Sequence, residues 1–545
     1  MDAQRLLKRF EALKARRDGR WQALWRSVRR YVYPTWSDTA PEGSERGGEI
    51  FDTTAVEARK RLAAGMYNWM APPDKRWFEI VPSDGELAKD EEGKEWFAAA
   101  TKAVELAMAN SNWPGVLIQA LNNLACGLDA VVYCEEGGDG GAALRFQSFP
   151  VETVCYSESP DGRVDTVFRE FELTARQVAE RFRGGSVPAQ AASEASDPAR
   201  ADAKRRILHA VLPREASGGT LDNKAMPWAS VYIDLGTRTV LEESGYVEFP
   251  FAVCRFEKSD NEQYGRGPGV DKLPDIRMLN RMRQAYILEL EKQADPPWLL
   301  PYGSLVSREF DRDPGSVNIY KPDVSGLKPE PVFSGANLGQ LAADIQQERD
   351  AIKQGFFWDI FDPIGDLRNI TATEAEIRNN GKMIPFAPIA GNLHNELFRA
   401  VIQRVFGIVS RLGMLPPEVP AALRENPDYK IEFVSKIALS IKKVESLGWM
   451  QTEAALQGLS AAHPEIMDNF ALDDVARDLA QANGASPKWL VPVKERDARR
   501  EALAQAQQQA AAAQLAMQGA GLSGSLAKAP EPGSPLEQVM NGEGV

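Results

Sequence analysis

The chain has 545 residues, 43% apolar and 26% charged, which is the composition of a folded protein with length for three or four domains and excludes a disordered or fibrous chain. No apolar run approaches the roughly 18 residues of a membrane helix, and the basic amino terminus lacks an apolar signal core, so neither a span nor secretion is expected. Net charge is −13, yet residues 1–35 hold ten Lys/Arg against three Asp/Glu, so the remaining 510 carry −20. A body that acidic excludes a protein that grips nucleic acid over its whole surface, though not one past which DNA slides.

In chain order, residues 2–33 interleave basic residues with Leu6, Leu7, Phe10, Leu13, Trp21, Leu24, Trp25 and Val28 and stop before Pro34, the pattern of one or two amphipathic helices. Their basic face reads as a solvated surface docked on the body in preference to a nucleic-acid or partner arm. Thr54 and Glu57 have capping-box spacing and predict a helix to Met70, stopped by Pro72 and Pro73. The acidic run 84–95 reads as surface. From Phe78 to Glu257 short alternating runs, FEIVP, AVVYCEE, ALRFQSF, VETVCYS, RVDTVFREFEL, ILHAVLP, WASVYIDL and YVEFPFAVCRF, predict strands, with helices near 95–109, 114–128 and 174–183. Residues 184–203 have little apolar content and predict a mobile loop.

The next stretch, Tyr264 to Ala294, predicts one long amphipathic helix of roughly 35 Å, with Ile276, Leu279, Met282, Tyr286 and Leu290 recurring at steps of three and four. An excursion rich in Pro, Gly and Asp follows, then a second helix, Leu338 to Gly355. Phe356–Ile370 is aromatic at one end, acidic in the middle and broken by Pro363 and Gly365. A helix capped by Thr371 and Glu374 continues to Gly413 with a kink expected at Pro385 and Pro388. Residues 442–482 are helical in pieces. Beyond Arg499 the chain is Ala/Gln-rich; that part is helical only in context, and the last 25 residues are expected to be disordered.

Chemistry-bearing motifs are missing. There is no GxxxxGK[ST], HExxH or GxSxG, so the chain is no P-loop ATPase, and no catalytic residue can be nominated. Gly265, Gly267 and Gly269 have GxGxG spacing with Pro268 and Pro274 intruding, which does not fit a dinucleotide loop. Asp359, Asp362 and Asp366 lack histidines or calcium-loop spacing; Cys126, Cys134, Cys155 and Cys254 are scattered without a CxxC pair. No metal, cofactor or disulfide framework is expected, and each cysteine reads as a small buried hydrophobe.

The ordered set YGRGPG, a long helix ending in DPPWL, TATEAEIR and SRLGMLP, preceded by GEIFDTTAVEARKRLAAGMYNWMAPPDKRWFEI and NSNWPGVLIQALNNLACGLDAVV, resembles the portal, or head-to-tail connector, proteins of short-tailed bacteriophages. The resemblance implies an α+β, mainly helical portal fold and a ring of twelve subunits at one capsid vertex, through which double-stranded DNA enters and leaves. It implies a wing over 1–260, stem helices over 261–294 and 338–355, a clip over 295–337, a tunnel loop over 356–370, a kinked tunnel helix returning to the wing over 371–440, a helical crown over 441–498 and a largely disordered tail over 499–545. Implied partners are other copies of the chain, DNA, terminase, a tail adaptor, and the major capsid and scaffolding proteins, with no membrane; the implied location is the virion, and host cytoplasm during assembly. On that reading Arg308, Arg312, Lys321 and Lys328 are clip residues available to partners, Asp362, Asp366, Arg368 and Asn369 face DNA from the tunnel loop, and Arg277, Arg281 and Arg283 lie on the stem. The alternatives are another virion structural protein, such as a tail adaptor or internal protein, and a carboxylate-dependent hydrolase.

Overall fold

The computed structural model describes residues 2–35, 43–73, 75–83, 91–138, 141–214, 225–294, 298–299, 330–331, 337–361, 384–419 and 429–434 of one compact unit, Met1–Glu445, and 449, 452–458, 463–482, 489–491 and 493–526 of a second, Ser446–Val545. The first unit opens with α1 (Ala3–Arg20) and α2 (Gln22–Val32), divided at Trp21; the Asp2 carboxylate caps α1 by accepting from the Gln4 N–H at 2.9 Å. In α3 (Thr54–Met70) the cap sits upstream of the expected Thr54. Asp52 accepts from the Thr54 N–H at 3.0 Å and its hydroxyl at 2.5 Å, and the Thr53 hydroxyl donates to Glu57. An Asp two residues before a free N–H reaches it without distorting the helix, so it outcompetes the threonine.

Next come β1 (Phe78–Pro82), α4 (Glu91–Ala109) and α5 (Trp113–Ala125), the last stopped at Gly127, whose φ of +80° suits glycine. Strands β2 (Ala130–Glu136), β3 (Leu144–Phe149), β4 (Val154–Glu158) and β5 (Val164–Thr174) lead to α6 (Ala175–Arg181) and α7 (Ala189–Ser196), then β6 (Lys204–Pro213), β7 (Trp228–Asp234), β8 (Thr239–Tyr246) and β9 (Phe251–Cys254). They form two antiparallel sheets, a three-stranded β3-β2-β9 and a five-stranded meander β4-β5-β6-β7-β8. Helix α1 lies on the meander, burying Leu6, Leu7 and Phe10 against Phe168, Leu208 and Ala210.

Three local expectations change here. The predicted loop at 184–203 contains α7, held by buried Ala191 and by Glu194, which pairs with Arg205 at 2.7 Å. Strand β8 escaped the pattern because it is the edge of the meander and fully buries only Leu241 among its apolar residues, so its sequence is mostly polar. The run YVEFPFAVCRF is divided by Pro250 into the end of β8 and the whole of β9.

The unit ends with α8 (Pro268–Asp271), α9 (Leu273–Ala294), β10 (Trp298–Leu299), β11 (Glu330–Pro331), α10 (Leu338–Gly355), α11 (Ala387–Asn392), a π turn Leu393–Phe398, α12 (Arg399–Arg411) and β12 (Tyr429–Phe433), which pairs antiparallel with β1. The helix expected from Thr371 begins outside the described residues. Pro385 lies in a 3-10 turn, Ile384–Phe386, just before α11; Pro388 lies in the first turn of α11, where its missing N–H costs no hydrogen bond, and a further irregularity follows at the π turn. A continuous core joins α3, α5, α12 and the small sheet through Leu62, Met66, Leu121, Val131, Phe398 and Val405.

In the second unit a 3-10 turn (Pro464–Asn469) precedes α13 (Leu472–Ala482) and α14 (Val493–Leu526). The Ala/Gln-rich stretch lies in α14, because alanine and glutamine favour helix even without an apolar face. Asp473 fixes the start of α14 to α13, pairing with Arg496 at 3.1 Å and Arg500 at 2.6 Å. Residues 527–545 lie outside the described set.

Candidate functional site

The long helix is α9, 22 residues and about 33 Å, and α10 packs beside it. They are antiparallel: a Cβ added at Gly355, the last residue of α10, would come 2.5 Å from the Lys272 side chain at the root of α9. Leu273, Ile276 and Leu279 of α9 and Ile345 and Ile352 of α10 enter one core. At the far end β10 and β11 pair Trp298 with Pro331 and Leu299 with Glu330, so the excursion leaves and returns through a short ladder.

The root of α9 is made by the glycine string. Added Cβ atoms would meet Asp129 Oδ1 and Arg255 Cβ at 2.8 Å from Gly265, Gly127 Cα at 2.9 Å from Gly267, and the Cys126 carbonyl oxygen at 2.3 Å from Gly269. The GxGxG spacing thus serves direct contact between residues 265–269 and the turn after α5, with no phosphate cradle. Asp129, fully buried, accepts from Tyr156 Oη at 2.7 Å and from the Gly265 N–H at 2.9 Å. Burial pushes its carboxyl up to about 7 against the pull of those two hydrogen bonds and of Arg255, while Glu396 adds to the rise. Arg255 bridges Glu158 and Glu396, its N–H donating to Glu396 at 2.9 Å, and Glu396 comes from the π turn.

Two clamps hold the hairpin to the segment before α3. Asn280 of α9 accepts from the Phe51 N–H at 2.7 Å and donates to the Glu49 carbonyl at 2.8 Å. Arg349 of α10 donates to Asp52 Oδ2 at 2.9 and 2.7 Å. Burial would raise the Asp52 carboxyl, but hydrogen bonds from Thr54 and Arg349 outweigh it and hold it below the usual range.

Beyond α10 the chain does not project at once. Phe356, Ile360 and Phe361 are buried, Phe357 stands at φ +57°, and Phe361 sits over Gly65 of α3 and packs edge-on against Trp69 and Phe386. Arg61 stacks 4.2 Å over Trp358 and donates to the Phe361 carbonyl. The aromatic part of 356–370 is an anchor on the core of its own chain.

Of the residues singled out in the sequence, Arg277 and Arg281 are exposed on α9, and Arg283 is half-buried with its guanidinium 5.3 Å over Tyr286. Arg308, Arg312, Lys321, Lys328, Asp362, Asp366, Arg368 and Asn369 lie outside the described residues; Asp359 is exposed. Among the described residues no group of three or more His, Cys, Asp or Glu could hold a metal ion, and no helix is long and apolar enough to cross a membrane. All four cysteines are buried free thiols; burial pushes Cys126 and Cys155 to about 11 and Cys134 to about 12. Sequence reasoning missed Asp129, Arg255, Glu396, Asn280 and Arg349. Only the crowded glycines at 265–269, which demand something unusual beside them, pointed toward the first three.

With this geometry in hand, the comparisons are specific. Residues 3–491 match the family described as bacteriophage head to tail connecting protein. The chain is 27% identical over 533 residues to a "Probable portal protein" of Bordetella phage BPP-1, covering 96% of this chain and 94% of that one. It is likewise 27% identical over 536 residues to a "Portal protein" of Salmonella phage epsilon15, covering 95% of each.

Proposed function

We propose, from the premise that this chain belongs to the family of bacteriophage head to tail connecting proteins, that it is the subunit of a twelve-membered portal ring through which double-stranded DNA is packaged and ejected. The observation that carries the reading is the antiparallel pair α9 and α10, rooted firmly in its own subunit yet bearing exposed Met278, Leu288 and Leu290 along the free part of α9. Twelve such helices about 10 Å apart would lie on a circle of roughly 19 Å radius, leaving a bore near 26 Å, enough for duplex DNA. The family is structural, so no reaction is assigned to it.

In this reading residues 295–337 form the clip, where Arg308, Arg312, Lys321 and Lys328 meet the terminase and later a tail adaptor, and the wing meets capsid and scaffolding proteins. Residues 362–370, emerging from the aromatic anchor, would carry Asp362, Asp366, Arg368 and Asn369 to the DNA. The stem cations Arg277, Arg281 and Arg283 pair with acids of a neighbour, and the channel wall is acidic or mixed, so DNA is not held in one register. Electron micrographs of the purified protein should display rings with a central hole, and native mass spectrometry a closed oligomer near twelve copies. Monomers and dimers alone across a wide concentration range would overturn the proposal.

A further inference from the structure

The amino-terminal helix divides its cations into two sets. Lys14 and Arg17 are spent on the protein itself: Lys14 pairs with Glu170 at 2.7 Å, and Arg17 donates to the Val154 carbonyl at 3.1 Å and pairs with Asp18. Arg5, Lys8, Arg9, Arg16 and Arg20 all face solvent on the other side. At 100° per residue they fall within about 120° of the circumference, over about 22 Å of axis, and Glu11 and Asp18 lie outside that arc. Arg9 still touches the sheet, donating to Ser157 at 3.0 Å and Thr166 at 3.3 Å, whereas among the described residues no carboxylate pairs with Lys8, Arg16 or Arg20.

Composition alone would not produce this face, because the chain outside residues 1–35 carries −20. Nor is the face a loose arm. Leu6, Leu7 and Phe10 are 4 to 7% exposed against the five-stranded sheet, and the Phe10 and Phe168 rings stand 6.1 Å apart, so the cations are held outward on a rigid support. A row of cations over that length, with no interleaved acid and with Lys8, Arg16 and Arg20 paired to no carboxylate among the described residues, matches a phosphodiester backbone, whose charges follow one another every few ångströms; an acidic protein surface would match it only if it were as densely charged.

We infer that the exposed face of α1, built on Lys8, Arg16 and Arg20 with Arg5 and Arg9 adding charge, is a sequence-independent binding surface for the phosphate backbone of duplex nucleic acid, separate from any channel formed by α9. Binding of this kind releases counterions, so with three to four phosphates engaged the logarithm of affinity should fall with the logarithm of salt at a slope of about −2.7 to −3.6.

The test uses the full chain as purified and fluorescence anisotropy with a labelled 30-base-pair DNA duplex from 50 to 200 mM NaCl, with a duplex RNA of equal length in parallel. The triple reversal Lys8→Glu, Arg16→Glu and Arg20→Glu should weaken binding at least tenfold at 50 mM NaCl and flatten the slope. The exchange Lys8→Arg, Arg16→Lys and Arg20→Lys should retain both. Binding of DNA and RNA alike marks backbone recognition; binding of the DNA alone also supports the surface and adds selection for its groove geometry. Circular dichroism and thermal melting check the fold, and should the reversal fail to fold, the milder Lys8→Ala, Arg16→Ala, Arg20→Ala variant replaces it. Wild-type protein that ignores both duplexes at 50 mM NaCl, or substituted protein that binds with unchanged slope, overturns the inference. Failure to form rings would sink the portal proposal and leave this measurement readable, because α1 is docked on its own subunit.

Discussion

Gly269 and Asp129 are single residues whose roles rest on close contact. A methyl group at Gly269 would press on a backbone oxygen that cannot step aside, so Gly269→Ala should cost about 1 to 3 kcal/mol and lower the melting temperature. Gly115→Ala is the matched control: it sits in helix α5 with nothing within 4 Å of an added Cβ, and should be neutral or stabilising by about 0.5 kcal/mol. Asp129 makes a different demand, through protonation. Its folded carboxyl titrates near 7 against an ordinary value of 3.8, so its stabilising contribution is complete below about pH 4 and is lost as pH rises through 7. Tyr156 Oη lies 2.7 Å from Asp129 and 3.0 Å from the Gln263 carbonyl, so the network stays satisfied when the acid is neutral, with Tyr156 donating to Gln263 instead. Asp129→Asn imitates that neutral form. Its melting temperature relative to wild type should rise between pH 4 and 7 and level off above; a difference independent of pH would remove the buried acid from the account.

At the scale of elements, the attachment of the hairpin to the segment before α3 is the most exposed to test. Asp52 is half-buried with its side chain covered, and Arg349→Met leaves it only the Thr54 hydrogen bonds, at a cost of about 1 to 3 kcal/mol. Adding Asp52→Asn removes the stranded charge, so the double variant should melt above Arg349→Met alone; a double variant that melts lower would mean that the ion pair is not what the substitution disturbs. The helices themselves were legible in the sequence. In α9 and α10 apolar residues recur at helical spacing over many turns, and such a signal is carried by each residue's own neighbours. The edge strand β8 and the short strand β12 were not legible, the first because its side chains are mostly polar and half-buried and the second because its partner, β1, lies some 350 residues earlier. The capping-box spacing of Thr54 and Glu57 marks the start of α3, but the group that accepts from the Thr54 N–H is the Asp52 carboxylate. The root network was invisible for a related reason: Arg255 and Glu396 stand 141 residues apart, and nothing beside either one announces the other. Pairings of that separation are fixed by tertiary packing after the local elements exist.

For the whole molecule, the proposed ring must overcome charge, since each copy carries −13 and identical copies repel. Apolar contact between neighbours has to supply the attraction. Leu288 and Leu290 are 49% and 41% exposed in the single chain and, two residues apart, point about 200° apart around α9. The subunit's own core cannot cover both, whereas neighbours to left and right in a closed ring can, each subunit offering two different faces. Burying the remaining half of each side chain is worth about 1 kcal/mol, repeated at every interface. Leu288→Asp or Leu290→Asp should therefore leave the isolated chain within about 0.5 kcal/mol of wild type, because the position is already wet, and yet abolish the ring, because every interface would bury an unpaired carboxylate. Leu290→Met should assemble. Raising the salt concentration should strengthen assembly of the wild type by screening repulsion among copies, the opposite of its effect on α1 and a polyanion. Native mass spectrometry beside thermal melting reads both quantities. If the aspartate variants close rings as wild type does, α9 is not the surface by which copies meet, and contacts elsewhere in the chain must hold the assembly together.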